Sequence, residues 1–223
     1  MEDMFTLQKS MFLRLFSLMY VLGFPPLLMA QDDIEAAVSQ AETSILDFLE
    51  STQEDPKNDI RRKAEKLQKS FEKVSEYLPK SQTSELRLNV GRFADSIEQD
   101  RYFDAIDLAL DGKTLLLAFI NEPRVHSRVL VMEIEGLRLT KFLEHPKFPT
   151  ERFESTVNRI AEHWNVVEGQ VKVVQLSGAI SETIAALKES TRVDNPSLRE
   201  RSIHIFYYLS KLLPIYWERN HTE

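Results

Sequence analysis

The chain has no cysteine and only six glycines in 223 residues. Without thiols it cannot build a disulfide scaffold, a thiolate zinc site, an iron–sulfur centre or a covalent c-type haem. So few glycines leave little for a phosphate cradle, and neither GxGxxG nor GxxxxGK[ST] occurs. Positive charge is in deficit, with 28 Lys and Arg against 35 Asp and Glu and a net charge of −7. That balance argues against wrapping nucleic acid, whose phosphates need a basic surface. Residues 31–121 contain neither Met nor His. A helical bundle there would have no axial ligand for a haem. The five His residues form no HxxxH or HExxH pair, so no one helical face presents two imidazoles to a metal. No cofactor and no metal site is expected, and no catalytic residue is assigned.

What is present divides the chain unevenly. Five of the six Met residues fall in the first 30 positions. Lys9 and Arg14 precede the apolar run Leu15–Leu22, which Gly23, Pro25 and Pro26 break. Leu28-Met29-Ala30 then meets the polar Gln31-Asp32-Asp33. A basic stretch, a short apolar run and a small residue before acids describe a secretory leader over 1–30, cut after Ala30. The run is shorter than the roughly 20 residues that span a bilayer, so no transmembrane anchor is expected after cleavage. A cysteine-free exported chain needs no oxidative folding, which fits a periplasmic or secreted protein.

Beyond the leader, apolar residues recur at alternating steps of four and three, the helical period. One series is Ile60, Ala64, Leu67, Phe71, Val74 and Leu78; another is Phe153, Val157, Ile160, Trp164, Val167 and Val171. Prolines punctuate the series at Pro56, Pro79, Pro123, Pro149 and Pro196. The spacing predicts helices near 33–53, 57–78, 84–98, 101–120, 124–145, 150–190 and 197–217. The 150–190 element is long enough that Gly169 or Gly178 should break or bend it. Asp55 before Pro56 suits a helix N-cap, and Ser197 with Glu200 has capping-box spacing. The expected fold is all-α: antiparallel bundles of six to seven long amphipathic helices without significant β-sheet.

Composition shifts near Asn121-Glu122-Pro123. Residues 31–121 carry the whole net charge of −7, while 122–223 are neutral and hold every His and both Trp. Two helical subdomains, 31–121 and 122–223, or one continuous bundle with an uneven surface, both fit. Residues 31–55 carry eight acids and no base, and 57–80 carry eight bases. A short link makes the two helices antiparallel neighbours, and opposite charge favours their register. The stretch Gln99–Ile106 resembles the turn inside a tetratricopeptide repeat, but as a single copy. Such arrays need about three repeats to bury a core, so an ordinary link between helices is expected.

Two places attract a functional reading. The last helix has the core series Leu198, Ser202, Ile205, Leu209, Leu212 and Tyr216, and a second apolar stripe of Ile203, Phe206, Tyr207, Leu213 and Trp217. A helix apolar on two faces is either central in its own bundle or covered on one face by a partner. Tyr and Trp suit a protein interface or a homodimer contact. The second place is a pocket between helices near Arg124, Arg128, His163 and Trp164, where a small ligand could bind. With Arg138 and Lys141 on the same helix as Arg124 and Arg128, it could instead be the cation-lined pocket of a metal-independent helical enzyme. Helix 124–145 also shows two stripes, the second through Leu130, Ile134 and Leu137, so it and the last helix could cover each other. The leading expectation is an exported, non-catalytic binding or scaffold protein of the cell envelope. It would recognise another protein through a helical face.

Overall fold

The computed structural model describes residues 27–51, 53–78, 80–117, 124–145 and 147–221. The leader expected over 1–30 lies outside the described residues, except for the last four positions in the first turn of α1. The proposed boundary at 121–123 lies outside them as well. The described residues form eight α-helices and no strand: α1 Leu27–Leu49, α2 Lys57–Tyr77, α3 Lys80–Glu98, α4 Tyr102–Leu117, α5 Arg124–Leu143, α6 Thr150–Val167, α7 Val174–Arg192 and α8 Pro196–His221. The all-α expectation holds.

The 150–190 series is broken after Val167. A 3-10 turn covers Glu168–Gln170, and Val171 and Val173 are extended before α7 begins. The break falls at Gly169, while Gly178 lies inside α7. Val171–Val173 thus serves as the link, and Val174 opens α7. Asn195, not Ser197, caps α8: its side chain accepts the Leu198 N–H at 3.0 Å, and Pro196 takes the first helical position. At the start of α2 the helix begins at Lys57, and no side chain caps it. Two other ends close with a residue in the left-handed region, Asp100 (φ 55°) after α3 and Asp194 (φ 43°) after α7. In each the next N–H bonds five residues back, Arg101 to Ser96 and Asn195 to Ser190. This pairing satisfies carbonyls that a helix end leaves open.

The helices pack in two closed rings. In the first, α1 packs on α2, α2 on α3, α3 on α4 and α4 on α1. In the second, α5 packs on α6, α6 on α7, α7 on α8 and α8 on α5. Short links make sequence neighbours antiparallel. The first core centres on Phe48, Leu67, Phe71, Phe93, Ile106 and Leu110, all fully buried. The second centres on Met132, Phe153, Ile160, Ile203, Phe206 and Leu213. Each ring has one close approach that only glycine permits. A Cβ on Gly112 would strike the Phe71 ring, and one on Gly136 would strike Ser210.

Helix α5 serves both cores. Its Val131 and Ile134 are buried in the first, and its Val129, Met132, Leu139 and Phe142 in the second. The second stripe on this helix, Leu130, Ile134 and Leu137, is therefore covered by the first ring. The other stripe packs on α8, where Gly136 meets Ser210 and Phe206. The charge contrast between α1 and α2 acts through Asp47, which pairs with Lys66 at 2.8 Å and Lys63 at 3.7 Å.

Candidate functional site

In α8 the second stripe forms the core seam, and the expected core series is only partly interior: Ser202 is buried, Leu209 and Tyr216 pack half-buried on the same core, and Ile205 and Leu212 face solvent. Ile203, Phe206, Leu213 and Trp217 are buried in the second core, so they cannot meet a partner. Tyr207 is half-buried, with the Lys211 ammonium 4.4 Å from its ring centre. Four apolar residues face solvent, two from the core series (Ile205 and Leu212) and two outside it (Tyr208 and Ile215). Ile205 is 45% exposed, Tyr208 66%, Leu212 52% and Ile215 48%. Each follows a buried residue by two positions: 203 and 205, 206 and 208, 210 and 212, 213 and 215. Two residues turn a helix by about 200°, so the exposed stripe lies directly opposite the core seam. The steps are 3, 4 and 3, the spacing of a helix-packing seam.

The physical reason that Phe206 and Trp217 take the interior is packing bulk. Both stripes keep the helical period, so periodicity cannot choose between them. Phe206 and Trp217 carry the larger apolar surface, and burying them yields more than burying Ile205 and Leu212. Ser210 then falls on the buried side, opposite Gly136, where a larger residue would not fit. The signal that could have found this was the pairing of a small residue on α8 with the glycine of α5. It is not a signal that one helix carries by itself.

The residues of the expected ligand pocket are only partly brought together. Arg124 opens α5, but its side chain lies outside the described residues. Arg128 and His163 do meet, with Nη1 3.0 Å from Nδ1. Burial and then the Arg128 charge push the His163 pKa down, so its imidazole is held neutral and accepts the Arg128 N–H. Trp164 does not join them. It is buried in the core, and its indole N–H donates to Ser181 at 2.8 Å; the Ser181 hydroxyl in turn donates to Glu168 at 2.7 Å. Where a pocket was expected, α6 and α7 are tied by a satisfied chain of hydrogen bonds.

The cations of α5 are likewise matched rather than convergent. Lys141 pairs with Glu144 at 2.9 Å. Arg138 sits at the junction of the two rings and is 4% exposed. It bonds Glu135 of its own helix at 3.0 Å, and Asp107 at 2.9 Å and Asp111 at 2.7 Å on α4. Burial opposes its charge, but Glu135, Asp111 and Asp107 more than offset that, and its pKa rises. Arg159 of α6 holds both oxygens of buried Glu135 at 3.0 Å. Arg152 of α6 bonds the free oxygen of Asp107 at 2.9 Å and Asp104 at 2.6 Å. Arg101 completes the group on Asp104 at 3.0 Å. Four guanidinium groups and four carboxylates thus neutralise one another across α4, α5 and α6. The sequence does not reveal this network because its bonded pairs between helices are up to 48 positions apart.

The cleft beside this network has a volume of about 430 Å³ and opens to solvent between α3, α4 and α6. Arg101, Asp104, Asp107 and Arg152 line it, and all four are engaged in the pairs above. Among the described residues no group of three His, Asp or Glu side chains could hold a metal ion. No described helix is long and apolar enough to cross a membrane.

No family model, curated protein or solved structure matches the chain. A functional reading therefore rests on the geometry of the chain itself.

Proposed function

We propose that the protein is an exported, non-catalytic helical docking module of the cell envelope, periplasmic or secreted, and that α8 carries its docking face. The observation behind this reading is the row Ile205, Tyr208, Leu212 and Ile215, exposed along one face of a helix whose opposite face is fully packed. Isolated apolar residues on a surface are ordinary, but four in helical register form a contiguous strip. Such strips mark interaction surfaces. A helix presenting anchors at i, i+3, i+7 and i+10 has the geometry that recognises another helix. The export part rests on the leader pattern.

Two measurements test it. A photo-crosslinking amino acid at Tyr208 should give a covalent protein adduct in intact cells. The same group at exposed Lys69 on α2 should not. Loss of the Tyr208 adduct removes the docking reading. Protein recovered from the envelope fraction should begin at Gln31. Retention of the first 30 residues on protein found in the cytosol would remove the export reading.

A further inference from the structure

We infer that the occupant of the α8 face is an acidic helix of another protein, with apolar residues between carboxylates at its two ends; this rests on the docking reading above. The exposed row does not stop at its apolar members. Arg201 stands four positions before Ile205 and Arg219 four after Ile215, and both are exposed. They lie eighteen positions apart in the chain. That is five full turns and about 27 Å, so both guanidinium groups share the line of the row and close it at each end. Neither makes a hydrogen bond or an ion pair among the described residues. Lys211 adds a third positive charge on one flank, with its ammonium over the Tyr207 ring. The two acids of α8, Glu200 and Glu218, each sit one position before an arginine, and so about 100° further round the helix.

Charge excludes one occupant and favours another. Against a second copy, the arginines would meet arginines whichever way the two α8 helices ran, because both ends of the row carry the same sign. A helix with carboxylates at both ends meets Arg201 and Arg219 with opposite charge in either direction. Complementarity of this kind sets partner choice. Exposed pairs are individually weak, so the arginines select the partner more than they hold it. The width of the row chooses a helix over a lipid surface. Ile205, Tyr208, Leu212 and Ile215 span about 80° of the helix circumference. That is the narrow seam of a helix pair, whereas a broader apolar stripe covers about 100° or more. A helix that beds in lipid sets bulky apolar side chains such as Trp and Phe on its outer face. In α8 both Phe206 and Trp217 are spent on the core.

With a photo-crosslinking amino acid at Tyr208 in the full-length chain, mass spectrometry of the adduct should place the linkage in a helix-forming segment of another protein. That segment should carry Asp or Glu at both ends of its apolar residues, about five turns apart. Arg201→Glu together with Arg219→Glu should lower the yield of the adduct about two- to thirtyfold, and Arg201→Lys with Arg219→Lys should keep it. Both positions are exposed and unpaired, so circular dichroism and the urea midpoint should be unchanged in either variant. An adduct to a segment without those acids, an adduct to a second copy of this chain, or a yield indifferent to the charge reversal would overturn the acidic-helix inference and leave the docking reading standing. No protein adduct at Tyr208 would overturn both. Flotation of that protein on vesicles of equal phosphatidylglycerol and phosphatidylcholine would then assign the face to lipid.

Discussion

At the residue scale, two glycines among the described residues have no room for a side chain, Gly112 and Gly136. Gly136 lies where α5 comes closest to α8, and its missing Cβ is the space that Ser210 occupies. Turning the Ser210 hydroxyl away would break its bond to the Tyr207 carbonyl at 2.9 Å, and the Ser210 Cβ would still stand 3.2 Å from the new methyl group. A methyl group at position 136 must therefore push the two helices apart. Overpacking of this kind costs about 1–3 kcal/mol. Gly136→Ala should lower the urea midpoint accordingly, although alanine is the better helix former by about 1 kcal/mol. Gly178→Ala is the control. Nothing lies near its Cβ position, and it sits inside α7, so the same change should raise stability. Equal effects at the two positions would mean that propensity, not contact, governs Gly136. In the sequence both residues are simply glycines in apolar series. Only the neighbouring helix distinguishes them.

At the scale of the element, most helices were legible because one face is apolar and the other polar. Helix α2 is the clear case: Ala64, Leu67, Phe71 and Val74 are buried along one seam, with lysines and arginines opposite. Helices α5 and α8 were less legible because each carries apolar residues on two faces. For α5 both faces are covered, one by each ring. For α8 only one is, and the period alone does not mark which: the choice lies in the bulk of Phe206 and Trp217 and in Ser210 set against Gly136 of α5. The break between α6 and α7 was half legible, since two glycines offered themselves and only Gly169 was used. The α8 assignment makes a direct prediction. Phe206→Glu and Trp217→Glu place a carboxylate in the second core and should cost at least about 3 kcal/mol, or abolish folding. Ile205→Glu and Leu212→Glu should stay within about 0.5 kcal/mol of the parent in urea denaturation of dilute protein, with unchanged circular dichroism. Destabilisation of the second pair to the level of the first would show that the stripe is covered within the chain.

At the scale of the whole molecule, the question is what holds the two rings together. Val131 and Ile134 of α5 reach into the first core, and His145 after α5 packs against Phe103 of α4 with ring centres 4.2 Å apart. Leu130 and Leu137 pack beside them, and the junction also carries the ionic network, whose pairs between helices could not be read from local spacing. Its pairs join three helices, and of its cations only Arg138 draws notice in the sequence, as part of a cation-lined pocket. Arg138 is the member on which the others depend. It is nearly dry, and it joins α5 to α4 through Asp107 and Asp111 while also bonding Glu135 of its own helix. Replacing it with methionine keeps the bulk but leaves Asp107 with Arg152 alone and Glu135 with Arg159 alone. Breaking a buried pair from one side costs about 3–5 kcal/mol. The surviving partners soften that loss, so Arg138→Met should fall near the lower end, measured by urea denaturation. Arg152 is half exposed, and its loss should cost less than about 1 kcal/mol, in line with surface pairs. If the network acts as a unit, adding Glu135→Leu to Arg138→Met should recover part of the loss, because it removes a carboxylate that the first change left under-compensated. Strict additivity of the two changes would instead mean that Arg138 acts only through its bonds to α4, and that the link between the rings is carried by Asp107 and Asp111 alone.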